Sequence, residues 1–139
     1  MTQTMPRPAI MPALLYRDPR AAVEFLARAF GFEPRLVAAD GDGGIAHAEL
    51  VLGGAMVMVG PARDEGFGAF VGVPAEVGKA TAGIYVVVAD PDAVHATAVA
   101  AGAEILLPLT DQDYGGRDFT CRDPEGQIWS FGSYDPWGA

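Results

Sequence analysis

Apolar residues fall at helical spacing twice along the chain. Val23, Leu26, Ala27 and Phe30 form one set, Val94, Ala98 and Ala101 the other. Each set follows an Asp-Pro pair, Asp18-Pro19 and Asp90-Pro91, which places a capping carboxylate before the helix and proline at its first position, where a missing N–H costs nothing. Gly31 and Gly102 follow as stop signals. After each helix come three runs with strand character, divided by Gly-rich or Asp-Pro turns: 35–39, 45–52 and 55–60, then 105–109, 117–122 and 127–134. A short apolar run precedes each helix, giving the order β-α-β-β-β twice.

The two halves repeat at a fixed offset. Asp18 and Asp90 stand 72 apart (90 − 18), as do Gly43-Gly44 from Gly115-Gly116 and Gly54 from Gly126. The pattern predicts an α+β chain of two tandem βαβββ modules, the first over about 8–60 and the second over about 83–134, within a single domain spanning 1–139. Residues 61–82 between them carry Pro61 and Pro74, are rich in Gly and Ala, and show no sustained period, so they read as a linker with one helical turn around 75–79. A plain connector and a lid over a site both fit such a segment.

A chain of 139 residues, half of them hydrophobic, supports one substantial core. No apolar run reaches the roughly 20 residues that cross a bilayer, and residues 1–12 lack the apolar region of a signal peptide, so a cytoplasmic location is expected. Eighteen acidic against nine basic residues give a net charge of −9, which argues against nucleic acid and is compatible with cationic ligands or simply with solubility. A lone cysteine, Cys121, excludes a disulfide framework and a thiolate zinc site and reads as a buried structural thiol.

The tandem β-α-β-β-β order, with Asp123-Pro124-Glu125-Gly126 ahead of a strand carrying Trp129 and Phe131, resembles the vicinal oxygen chelate superfamily of glyoxalases, bleomycin-resistance proteins and extradiol dioxygenases. The segments 21–26, 30–32 and 114–119 are similar to a common bacterial branch of it. The resemblance implies that the modules form curved mixed sheets around a groove, and that metal-dependent members place ligands on the first and last strand of each module. Carried over by the Asp-Pro landmarks, those positions are Met11, Met58, Ile84 and Ser130, none of which is His, Glu or Asp. Two thioethers, an alkyl group and a hydroxyl do not provide the field that a divalent cation needs, so no metal and no cofactor are expected.

Alternation along the strands predicts the groove lining. His47 and Glu49 share the face opposite Ala46, Ala48 and Leu50, while Phe119, Cys121, Trp129 and Phe131 point to the helices and leave Asp118, Thr120, Ile128 and Ser130 on the open side. Leu15, Met56, Met58, Ile84 and Val86 are assigned to the same open face. These eleven residues are the candidate ligand contacts; plain core packing is the competing reading of the Met and Ile positions. His47 with Glu49 is the candidate catalytic pair, although a hydrogen bond between them serves structure equally well. Asp118 near Thr120 is a second possible acid–base pair. The only other histidine, His95, is expected on the solvent side of the second helix. The expectation is a metal-free small-molecule-binding protein that sequesters a drug or aromatic metabolite, apolar and favoured by a cationic group. The alternative is a lyase, isomerase or dioxygenase of the same fold. Relatives with this module order commonly pair across a two-fold axis, and an apolar curved sheet left open exposes a large patch, so a homodimer is expected.

Overall fold

A computed structural model describes residues 7–138; residues 1–6, half of the stretch on which the signal-peptide reading rests, and residue 139 lie outside the described residues. The first module comprises β1 (Ala13–Tyr16), α1 (Pro19–Phe30), β2 (Glu33–Ala39), β3 (Ile45–Leu52) and β4 (Ala55–Pro61), and the second β5 (Gly83–Val87), α3 (Pro91–Ala101), β6 (Glu104–Asp111), β7 (Arg117–Arg122) and β8 (Ile128–Gly132). Each module forms a four-stranded mixed sheet, ordered β1-β4-β3-β2 and β5-β8-β7-β6, with its first strand parallel to its last. The helices start and stop as the sequence predicts. Asp18 and Asp90 each accept a hydrogen bond from the backbone N–H three residues on, at 3.1 Å, and Gly31 and Gly102 close the helices at φ +86° and +98°. That left-handed conformation is costly for any side chain bearing a Cβ.

The two modules meet through their helix-covered sides. Phe30 of α1 lies 5.2 Å from the ring of Trp129 and 4.6 Å from that of Phe131, both on β8, and Phe32 adds a third contact at 5.7 Å. Thr97 of α3 donates to the carbonyl of Ala29 at the end of α1, at 2.7 Å. Phe119, Cys121, Trp129 and Phe131 are wholly buried, as predicted, and belong to one core with Leu26, Leu50 and Val59 of the first module. Burial pushes the Cys121 thiol up to about 12, with the Asp123 charge adding to the effect, so it is inert at neutral pH. His95 is half-buried rather than solvent-facing, because its ring packs edge-on to Phe119 at 5.0 Å.

The segment 62–82 holds a 3-10 turn (Gly66–Ala69) and a four-residue helix, α2 (Pro74–Val77), one residue ahead of the expected turn. It is fastened across the seam. Arg17 donates to both oxygens of Glu76, at 2.6 and 2.5 Å, and the Ala75 N–H reaches the carbonyl of Glu125. No helix among the described residues is long and apolar enough to cross a membrane.

Candidate functional site

Register decides which side chains share a face, since residues directly opposite one another on paired strands point the same way. In the first sheet Ala13 stands beside Met58, Leu15 beside Gly60, Glu49 beside Met58 and Val51 beside Met56. Leu15, Met56, Met58, His47 and Glu49 therefore line one open face, as the alternation predicts. Ala46, assigned to the opposite side, is displaced by a register shift, in which Ala38 pairs with His47 but Ala39 with Ile45, and joins Leu15, Gly60 and Phe67 around a surface cavity of about 500 Å³.

In the second sheet Thr120 pairs with Ser130, Arg122 with Ile128 and Asp118 with Gly132, so Asp118, Thr120, Ile128 and Ser130 form its open face, again as predicted. The assignment of Ile84 and Val86 to that face is corrected. Ile84 pairs with Trp129 and Val86 with Phe131, both on the helix side, and both pack in or against the core. Their neighbours Gly83, Tyr85 and Val87 take the open face instead, opposite Ile128, Ser130 and Gly132. The reason is a one-residue slip. The run from Ile84 to Val88 is apolar at every position, so alternation cannot orient it, whereas the offset of 72 maps Leu15 onto Val87 and Met11 onto Gly83.

The predicted contacts thus form two walls, not one. Because both sheets turn their helix sides toward the shared core, their open faces point outward, away from each other within a chain. Met56, Ile84 and Val86 do meet, with Met11, in a cavity of about 550 Å³ at the seam between β4 and β5, which also takes in Phe32 and Val57 from the core side.

Charge is arranged differently on the two walls. On the first, Glu49 is bound on both oxygens, by Arg35 at 2.6 Å and by His47 Nε2 at 3.0 Å. The His47 hydrogen bond, ahead of the Arg35 charge, holds the Glu49 carboxyl below its usual range despite the opposing effect of desolvation. A carboxylate so stabilised is a weaker base. On the second wall, Asp118 accepts from Gln112 Nε2 at 2.8 Å and from the Tyr114 hydroxyl at 3.2 Å, both neutral. Thr120 and Ser130 share a hydroxyl hydrogen bond of 2.7 Å. The sequence pattern does not point to Arg35, Tyr85, Tyr114 or Tyr134. Parity on β5 would have found Tyr85; the other three depend on loop and edge geometry that periodicity does not carry.

The inherited metal positions do not fit a cation. Met11, Met58 and Ser130 lack suitable donors, and the open-face residues of β5 are Gly83, Val87 and Tyr85, whose phenol is raised by desolvation and then by Asp118 and so stays protonated at neutral pH. Among the described residues no group of three or more His, Cys, Asp or Glu side chains is placed to hold an ion.

The motif 123–126 serves the seam. Asp123, 3% exposed, accepts from the Tyr16 hydroxyl at 2.6 Å, Trp129 Nε1 at 3.1 Å and the backbone N–H groups of Glu125 and Gln127. Desolvation raises its carboxyl above the ordinary range, against the opposing pull of these donors. Glu125 accepts from the N–H groups of Arg17 and Asp18, at 2.5 and 2.9 Å, and so holds the start of α1 from the other module.

Comparison with known proteins agrees with this architecture. The family model described as Glyoxalase/Bleomycin resistance protein/Dioxygenase superfamily matches residues 10–131. The chain is 32% identical over 125 residues to an uncharacterized protein of Mycobacterium tuberculosis (strain ATCC 25618 / H37Rv), which covers 90% of this chain and 74% of the relative. Among solved structures, that of TioX from Micromonospora sp. ML1 superimposes with a TM-score of 0.73 at 33% identity, over 95% of this chain and 100% of the other. A glyoxalase/bleomycin resistance protein from Streptomyces sp. CB03234 shares the fold at 16% identity and a TM-score of 0.65, over 87% and 96% of the two chains.

Proposed function

The chain belongs to the glyoxalase/bleomycin resistance protein/dioxygenase superfamily, and from that premise we propose that it is a metal-free, cytoplasmic binding protein that sequesters a small apolar or aromatic molecule in a groove built by two copies of the chain. The observation that carries this reading is the outward direction of both open faces: a groove with two sheet walls requires the first module of one chain to face the second module of another. The first wall contributes Leu15, Met56 and Met58, adaptable apolar side chains suited to a flat ligand; the second contributes Ile128 and Val87 with the Thr120 and Ser130 hydroxyls as polar points. Tyr85 and Val87, 41% and 45% exposed, and Leu107, 60% exposed, add large apolar side chains to that second face.

Binding is favoured over catalysis because the one acid–base pair on the first wall, His47 and Glu49, is tied up with Arg35, and its carboxylate is stabilised as the anion. A thermal-shift screen of flat neutral aromatics tests the reading. Hits should raise the melting temperature of the native protein, and Met58→Glu, which sets a carboxylate in the apolar wall, should abolish the shifts. Hits that survive Met58→Glu unchanged would remove the groove as the binding site.

A further inference from the structure

The second wall ends in a corner whose carboxylate, Asp118, the apolar-ligand reading does not use. Tyr114 and Tyr134 meet edge to face, with ring centroids 5.2 Å apart and planes at 83°, and Tyr85 donates its hydroxyl to the Tyr134 carbonyl at 2.7 Å. All three rings are exposed, at 41% for Tyr85, 61% for Tyr114 and 40% for Tyr134. Asp118 sits among them. A Cβ placed on Gly132 would lie 2.5 Å from the Tyr85 hydroxyl oxygen and 2.9 Å from Asp118 Cβ, so the glycine gives the ring and the carboxylate room to approach over β8. Gly116 does the same for Tyr134, whose N and Cβ would stand 2.6 and 2.9 Å from an added Cβ.

The carboxylate in this corner has no cationic partner among the described residues. Arg117 beside it turns to the other side of the sheet, to Asp92 at 2.8 Å and Asp111 at 3.3 Å. Tyrosine rings gathered beside a carboxylate that lacks a cationic partner add the negative potential of their faces to that of the charge. Desolvation raises the phenols of Tyr85 and Tyr114, and Asp118 raises both further, so the rings remain neutral walls at physiological pH.

We propose that Tyr85, Tyr114, Tyr134 and Asp118 form a subsite for an alkylammonium group, so that the ligand of this protein carries a tertiary or quaternary amine directed to the second module. This inference rests on the reading of that open face as a ligand wall. Glu49, the open-face carboxylate of β3, is already occupied by Arg35 and His47 and is not the cation's partner.

Choline and 3,3-dimethylbutan-1-ol, which has the same shape without the charge, are the probes, titrated against labelled full-length protein and followed by amide shifts in two-dimensional NMR. Choline should give saturable shifts at Tyr85, Gly132 and Tyr134, and the alcohol should not saturate in the same range. Asp118→Asn and Tyr85→Leu should each weaken choline by about fivefold or more, while Tyr85→Phe, which keeps the ring face, stays within about twofold, and Glu49→Gln has no effect. Unperturbed amide dispersion in each variant establishes that it folds. Absence of saturable shifts, an equal response to the alcohol, or equal weakening by Glu49→Gln would overturn the subsite. The groove reading fails separately: if neutral aromatics give no thermal shift while choline still saturates at these amides, the subsite stands and the apolar groove falls.

Discussion

Glu49 on β3 and Thr120 on β7 occupy matching places, one beside Met58 of β4 and the other beside Ser130 of β8, and by the same register His47 corresponds to Asp118. On the first module the matched positions hold a histidine and a carboxylate that satisfy each other, with Arg35 as a third member, and Leu15, Met56 and Met58 make the wall beside them apolar. On the second they hold a carboxylate with neutral partners and a pair of hydroxyls, bordered by tyrosines. One backbone plan thus yields a self-compensated apolar wall and an uncompensated aromatic one. Two such walls complement each other only if they face across a groove, which a single chain does not achieve.

The seam shows the same asymmetry. In the first module β3 turns into β4 through Gly53-Gly54, and a Cβ added to Gly53 would meet nothing within 4 Å. In the second, the turn from β7 to β8 is one residue longer relative to the strand pairing and carries Asp123 and Glu125, which reach back to Tyr16, Arg17 and Asp18. The second module therefore holds the first, and among the described residues no side-chain hydrogen bond returns the contact from the first module's turn.

The largest effect is expected where the modules share their core. Phe30→Ala removes a ring that is 3% exposed and touches Trp129 and Phe131, and should cost about 3–5 kcal/mol in urea unfolding while the transition remains single. Two separate transitions in the native protein would break the picture of one core spanning both modules. The turn asymmetry predicts a smaller pair of effects. Gly126→Ala meets φ +95° and places a Cβ 2.8 Å from the Ala75 nitrogen, whereas Gly53→Ala meets only φ +57° in open space. Gly53→Ala should cost about 1–2 kcal/mol for the left-handed backbone alone, and Gly126→Ala distinctly more; equal losses would mean that the linker contact is idle. The smallest effect is on the exposed first wall. Because the Glu49 carboxyl is lowered in the folded state, the stability it contributes is present above its unfolded value and lost as pH falls through the folded one. The stability difference between native protein and Glu49→Gln should accordingly shrink on acidification, and a difference that grows instead would show that the His47 hydrogen bond does not hold the anion.

The fold was legible because punctuation and period agree: Asp-Pro starts, Gly stops, and alternation on β3 from His47 onward, β4, β7 and β8 all point the same way, and each was found in the structure. The face of β5 was not legible from alternation, since an unbroken apolar run carries no period of two, and Ile84 and Val86 lie on the core side instead of the open face. The repeat offset held the missing information. Arg35, Tyr114 and Tyr134 reach the open faces from an edge strand, a turn and the segment after β8, where side-chain direction depends on loop geometry rather than on period. His95 differs from its expected exposure for a related reason: a polar residue on a helix reads as exposed until the neighbouring strand presents a ring, here Phe119, for it to lie against.

The central claim is that the two walls face each other across two chains, and the molar mass of the native protein at micromolar concentration tests it most directly. Light scattering coupled to size exclusion should give twice the 14.5 kDa of one chain. A mass of 14.5 kDa would leave both open faces in solvent and contradict a groove assembled from the first module of one chain and the second module of its partner.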